Sequence, residues 1–246
     1  MSHTGDLCVT RAMQTTIPDP CSVVRHNPHP GQGSVLVLGT PRGGTSVVAG
    51  ICHMLGAPMG IDIDPSNMED RAFRALASRP DREERSASFF AELHQGNRLA
   101  GVKDPAVMDW LPSVYHTVPD PLLVTVSRDV YAVAQREEVS GSEFFDALHC
   151  AIRRKYAVLE FVERVADPLI VVSYERLMDD PRHAVESLAR FLLGGSNGEL
   201  VDRIVPLVRP HADMPNDVNF VAARADYERE CVVQPPRRRR FARWAS

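Results

Sequence analysis

No run in this chain of 246 residues is apolar for long enough to cross a bilayer. The opening residues, MSHTGDLCVTRAMQ, lack the apolar core of a signal peptide. A cytoplasmic protein without a membrane span is therefore expected. Cysteine is scarce and scattered: Cys8, Cys21, Cys52, Cys150 and Cys231 make an odd set of five with no C-x-x-C spacing. That spacing points away from both a disulfide framework and a zinc site, and it suits a reducing compartment. An excess of positive charge is missing too. The formal net charge of −4 argues against bulk binding to nucleic acid while leaving room for a local basic pocket. No repeat period is visible, and no segment specifies an oligomeric state.

What the chain does contain is ordinary for one globular α/β domain with a substantial core: 24% charged and 44% hydrophobic residues. It is organised around Ser34 to Gly56, SVLVLGTPRGGTSVVAGICHMLG. Val35 to Leu38 read as a buried strand, and Gly39 to Gly44 as a tight glycine loop. Thr45 and Ser46 open a helix with Val47, Val48, Ile51, Met54 and Leu55 on its apolar positions. Strand, loop and helix N-terminus together form an anion cradle, because unpaired backbone N–H groups and the helix dipole converge there. Gly39, Gly44 and Ser46 fit the frame G-x-x-x-x-G-K-[ST] of nucleoside-triphosphatases, but Thr45 stands where the lysine belongs. The positive charge lies inside the loop instead, as Arg42.

Residues 1–32 are proline-rich and aperiodic and read as an irregular arm; residues 33–246 read as a single domain with a basic C-terminal tail. Helices are expected over about 68–78, capped near Asn67, and about 81–95. Leu99–Val102, Pro121–Val126 and Leu169–Ser173 are the remaining strands. Helices follow over about 130–138, from a cap at Ser142 through Arg164, from Asp180 to Gly194, and over about 198–208. In the long helix, Phe145, Leu148, Ile152, Tyr156 and Leu159 recur at helical spacing. Strands alternating with helices imply an α/β three-layer sandwich around a central parallel sheet, with a P-loop-like phosphate-binding loop. Ligands in such folds bind beyond the carboxyl ends of the strands. Those ends carry Arg42, Lys103, Arg128 and Tyr174. His53, one helix span of roughly 10 Å beyond Ser46, is too far from the loop to serve it.

The loop Pro41-Arg42-Gly43-Gly44-Thr45-Ser46 resembles the 5′-phosphosulfate loop of sulfotransferases that use 3′-phosphoadenosine 5′-phosphosulfate (PAPS), with Gly43 in place of the usual serine. VTVSRDVYAVAQR, 124–136, resembles their 3′-phosphate strand and helix. There Arg128 ends the strand and Arg136 stands where a serine is common. VVSYERLMDDPRHAVESL, 171–188, is similar to their third motif, in which Tyr174 lies near the adenine. The three occur in the family's order, over roughly 35–193.

The resemblance implies sulfuryl transfer from PAPS, without a metal, to a hydroxyl or amine of a small molecule or glycan. Arg42 and Lys103 would supply positive charge where the leaving oxygen develops its charge. An acceptor proton needs a base. One branch of the family places a histidine where this chain has Pro105, so Lys103-Asp104-Pro105 looks like the bacterial and carbohydrate-type variant. Asp104 and Glu69 are both candidates for the base. Two other readings are weighed against this one. A P-loop small-molecule kinase would use ATP and magnesium. A non-catalytic nucleotide-binding scaffold would recruit partners through the arginine-rich tail 235–246.

Overall fold

The computed structural model describes residues 19–139, 141–209 and 219–233. The strands are β1 (Cys21–Arg25), β2 (Gly33–Leu38), β3 (Ile63–Asp64), β4 (Glu69–Asp70), β5 (Leu99–Lys103), β6 (Pro121–Ser127) and β7 (Leu169–Ser173). The α-helices up to the long one are α1 (Thr45–Met54), α2 (Arg71–Ala75), α3 (Arg82–Leu93), α4 (Leu111–Val114), α5 (Val130–Glu138) and α6 (Phe144–Arg164). After β7 come α7 (Tyr174–Asp179), α8 (Pro181–Leu193), α9 (Gly198–Ile204) and α10 (Phe220–Val233).

β2 is buried along its whole length, which is why its sequence is a continuous apolar run rather than an alternating one. Its side chains still divide between the faces. Val35 and Val37 join the cluster built with α1, α8 and α9, whereas Leu36 and Leu38 join the cluster built with α3, α4 and α6. The result is a five-stranded sheet in the order β1-β7-β6-β2-β5, with helices on both faces. β5, β2, β6 and β7 run parallel, so their carboxyl ends share one edge. Among the described residues no helix is long and apolar enough to cross a membrane.

Several features depart from the sequence reading. Cys21–Arg25 within the supposed irregular arm form an edge strand, antiparallel to β7, with Cys21 opposite Val172. Flanking prolines and the outward Val23 and Val24 hide that strand, since only Cys21 packs inward and backbone pairing does the rest. The helix expected from residue 68 starts at Arg71, because Asp70, not Asn67, caps it by accepting from the Phe73 amide at 2.7 Å. Residues 63–64 and 69–70 pair as a short hairpin ahead of it. Helix α6 starts one residue after Glu143 rather than at a Ser142 cap. Its spaced large residues face outward, with Phe145 72% and Tyr156 63% exposed. The inward face uses Ala147, Ala151, Val158, Phe161 and Val162. Small alanines in the first half let α6 lie close to α5, and that proximity outweighs the hydrophobicity of the other stripe.

Helix α10 had no counterpart in the sequence reading. It packs Phe220 on Gly50 of α1 so closely that a Cβ there would lie 2.3 Å from the phenylalanine ring. His53 is buried on the same helix, where it accepts from the Met59 amide at 3.4 Å. Burial, with Arg224 nearby, lowers its pKa to about 4. It is a neutral core histidine, remote from the glycine loop in role as well as in place. Residues 1–18 of the expected arm, residues 210–218 and the tail 235–246 lie outside the described residues.

Candidate active site

The parallel register fixes the site's floor. Leu38 pairs with Thr125 and Val37 with Lys103, so the glycine loop, Lys103 and the end of β6 emerge side by side. Within the loop, Arg42 and Gly44 both have left-handed backbone, at φ 59° and 85°. Left-handed geometry at a non-glycine residue costs energy and needs support. Arg128 supplies it by donating from Nη1 to the Arg42 carbonyl at 2.8 Å. The Gly43 amide donates to the Thr40 carbonyl at 2.9 Å, tightening the turn. Helix α1 then begins with no acidic residue in its first turn and no side-chain cap on its amides. Uncapped amides of this kind attract an anion.

Tyr174 seals one side of the loop. A Cβ at Gly44 would lie 2.0 Å from its ring, so glycine is required there by close approach as well as by φ. The same ring carries the Arg128 guanidinium 4.4 Å from its centroid, a stacking that suits arginine's planar head. Arg128 Nε is buried and has no hydrogen-bond partner among the described residues. An orphaned charged donor beside an anion cradle fits a phosphate. Lys155 Nζ donates to the Arg128 carbonyl at 3.2 Å and ties α6 to this strand end.

On the other side stands Lys103, 2% exposed. Its Nζ donates to Ser46 Oγ at 3.2 Å, the Asn67 carbonyl at 3.1 Å and Glu69 Oε1 at 2.8 Å. Burial pulls the Lys103 pKa down, and Glu69 pulls it partly back. The second carboxylate oxygen of Glu69 meets Arg74 at 3.1 Å. Arg42 Nε lies 3.8 Å from Glu137.

All of this surrounds one cavity of about 270 Å³. Pro41, Arg42, Gly44, Thr45 and Ser46 line it from the loop, and Glu69, Lys103, Arg128, Arg136 and Tyr174 from the other elements. Gly43 shapes the loop without lining the cavity. Like Gly43, Asp104 is an expected site residue that does not line the cavity. It is buried away from the cavity, accepts from the Ala106 amide at 2.9 Å, and has its pKa raised by burial. That hydrogen bond caps the turn that follows β5. Sequence reasoning missed the Asn67 carbonyl and Arg74, which fix Lys103 and Glu69. Asn67 was visible only as a helix cap, and no local pattern signals a carbonyl aimed at a lysine.

A family model described as the sulfotransferase family matches residues 62–193, more than half of the chain. The chain belongs to the sulfotransferase family. The matched span holds Glu69, Lys103, Arg128, Arg136 and Tyr174 and begins after the glycine loop, so the loop is independent support. The sulfotransferase domain of the Synechococcus PCC 7002 olefin synthase aligns with a TM-score of 0.53 at 15% identity, over 83% of this chain and 98% of that one. A sulfotransferase domain from the curacin biosynthetic pathway aligns with a TM-score of 0.50 at 12% identity, over 72% and 78%. At those identities the likeness concerns the fold. No curated protein matches this sulfotransferase significantly.

Proposed function

We propose that this sulfotransferase moves the sulfuryl group of PAPS onto a hydroxyl or amine of a small molecule or glycan. The observation that carries the reading is that Arg42, Lys103 and Arg128 line a single cavity with the glycine loop. The loop amides and Arg42 hold the 5′-phosphosulfate. Arg128, with Arg136 beside it, takes the 3′-phosphate, and the Tyr174 ring backs the nucleotide.

PAPS supplies an activated sulfur. The acceptor oxygen or nitrogen bonds to it as the bond to the bridging phosphate oxygen breaks, leaving a sulfate ester or a sulfamate and adenosine 3′,5′-bisphosphate. Lys103 stands beside Ser46 at the N-terminus of α1, where it meets the charge building on the bridging oxygen. Preorganised donors of this kind commonly supply the largest catalytic contribution. Glu69 takes the acceptor proton. It lines the cavity, and each of its oxygens keeps a lone pair beyond its ion pair with Lys103 or Arg74. Asp104 does not take this role, for want of access.

The test is transfer of radiolabelled sulfate from PAPS across a panel of hydroxyl and amine acceptors, with Glu69→Gln as control. Labelled sulfate ester from the wild type, abolished in the variant, is expected. Nucleotide binding without turnover on any acceptor would favour the scaffold reading instead.

A further inference from the structure

We propose that the acceptor carries an anionic group, such as a carboxylate, and that Arg154 on α6 selects it; this rests on the neighbouring cavity being the nucleotide site. Two further cavities adjoin that one. The first, about 270 Å³, lies between the glycine loop, α5 and α6 and shares Pro41 and Glu137 with the nucleotide cavity. The second, about 290 Å³, lies beneath the turn after β5 and shares Pro105 with it. The two meet at Cys150 and Arg154, which line both. They lie side by side along α6 and border the nucleotide cavity at Pro41 and at Pro105, and together they are the acceptor groove of this proposal. An acceptor must enter from a side the nucleotide leaves open, and this groove is such a side.

Asp146, Cys150 and Arg154 are spaced by four residues and so present one stripe of α6 to the groove. Among the described residues the exposed Arg154 guanidinium has no hydrogen bond or ion pair. Its neighbour Lys155 is bonded to the Arg128 carbonyl, which holds this turn of the helix against the site. A guanidinium offers five donors in a fixed fork, and none is spent on a protein partner. The groove is polarised rather than uniformly basic. Arg153 joins Arg154 in lining the second cavity, together with the one carboxylate Asp109, whereas Glu137 and Asp146 line the first. An anion therefore belongs at the Arg153–Arg154 end, with the reacting hydroxyl directed towards Pro105.

Cys150, half-buried in the groove, gives a readout that does not depend on turnover. In the full chain with adenosine 3′,5′-bisphosphate bound, its alkylation by anionic iodoacetate and by neutral iodoacetamide is followed by peptide-resolved mass spectrometry. Cys21 and Cys52 are spectators, since burial pushes both thiols up to about 12. Arg154→Gln should lower the iodoacetate-to-iodoacetamide rate ratio about threefold, roughly the factor for unit charges about 7 Å apart in water. Arg154→Lys should keep most of the ratio. In the wild type, 4-hydroxybenzoate should protect Cys150 from iodoacetamide better than 4-hydroxybenzamide does. An unchanged ratio in Arg154→Gln, or protection no better from the acid than from the amide, overturns the inference. Either result leaves the nucleotide reading intact, whereas failure of the bisphosphate to bind at all removes that reading itself.

Discussion

Replacing Lys103 by methionine is expected to lower turnover roughly 10²–10³-fold, the usual cost of deleting one donor to a developing oxyanion. Affinity for adenosine 3′,5′-bisphosphate should change far less, because the charge that Lys103 meets appears only as the sulfuryl group departs. The side chain is 2% exposed and bonded to Ser46, Asn67 and Glu69 at once, so its position is fixed before substrate arrives. Removing one member of a buried pair also leaves the other charge poorly compensated. Glu69 keeps Arg74, which limits that loss of stability. The double variant Lys103→Met with Glu69→Gln should recover thermal stability, which measures the stability part alone, since Glu69→Gln by itself already removes turnover. Turnover in Lys103→Met within a few-fold of wild type would make the lysine a structural strut and nothing more.

Arg128→Ala should weaken adenosine 3′,5′-bisphosphate by about 1.5–3 kcal/mol, the range for a hydrogen bond to a charged group, or roughly ten- to 150-fold in Kd. The same substitution should leave adenosine 5′-phosphate less affected, because that ligand has no 3′-phosphate to lose. Some loss with both ligands is expected, since Arg128 also supports the left-handed Arg42 through its carbonyl. Comparison of the two nucleotides isolates the phosphate contact from the loop contact. Calorimetric titration of wild type and variant with each ligand reads it directly. Equal losses for both would place the 3′-phosphate elsewhere.

Much of the site was legible because the sheet concentrates it. Each parallel strand announces itself as a short apolar run, and the residues just beyond each run are placed on one edge by topology alone. Arg42, Lys103, Arg128 and Tyr174 occupy those positions, and the structure gathers them around one cavity. Glu69 and Asp104 could not be separated in sequence, as both are carboxylates close to an expected strand or helix end. What divides them is side-chain direction: Asp104 turns back onto the Ala106 amide, while Glu69 crosses to Lys103. The edge strand β1 leaves little mark on composition, because its stability comes from backbone pairing with β7. Helix α6 was placed well along the chain but not around its axis. Periodicity reports a stripe of large apolar residues, yet the packed stripe is the one whose alanines permit close approach.

The most direct test of the central claim is a titration of the wild-type protein with adenosine 3′,5′-bisphosphate and, separately, with ATP plus magnesium. A loop that carries arginine instead of the triphosphatase lysine, with a second arginine stacked on Tyr174, should bind the bisphosphate more tightly. Tighter binding of ATP with magnesium would contradict the account and point to phosphoryl rather than sulfuryl transfer.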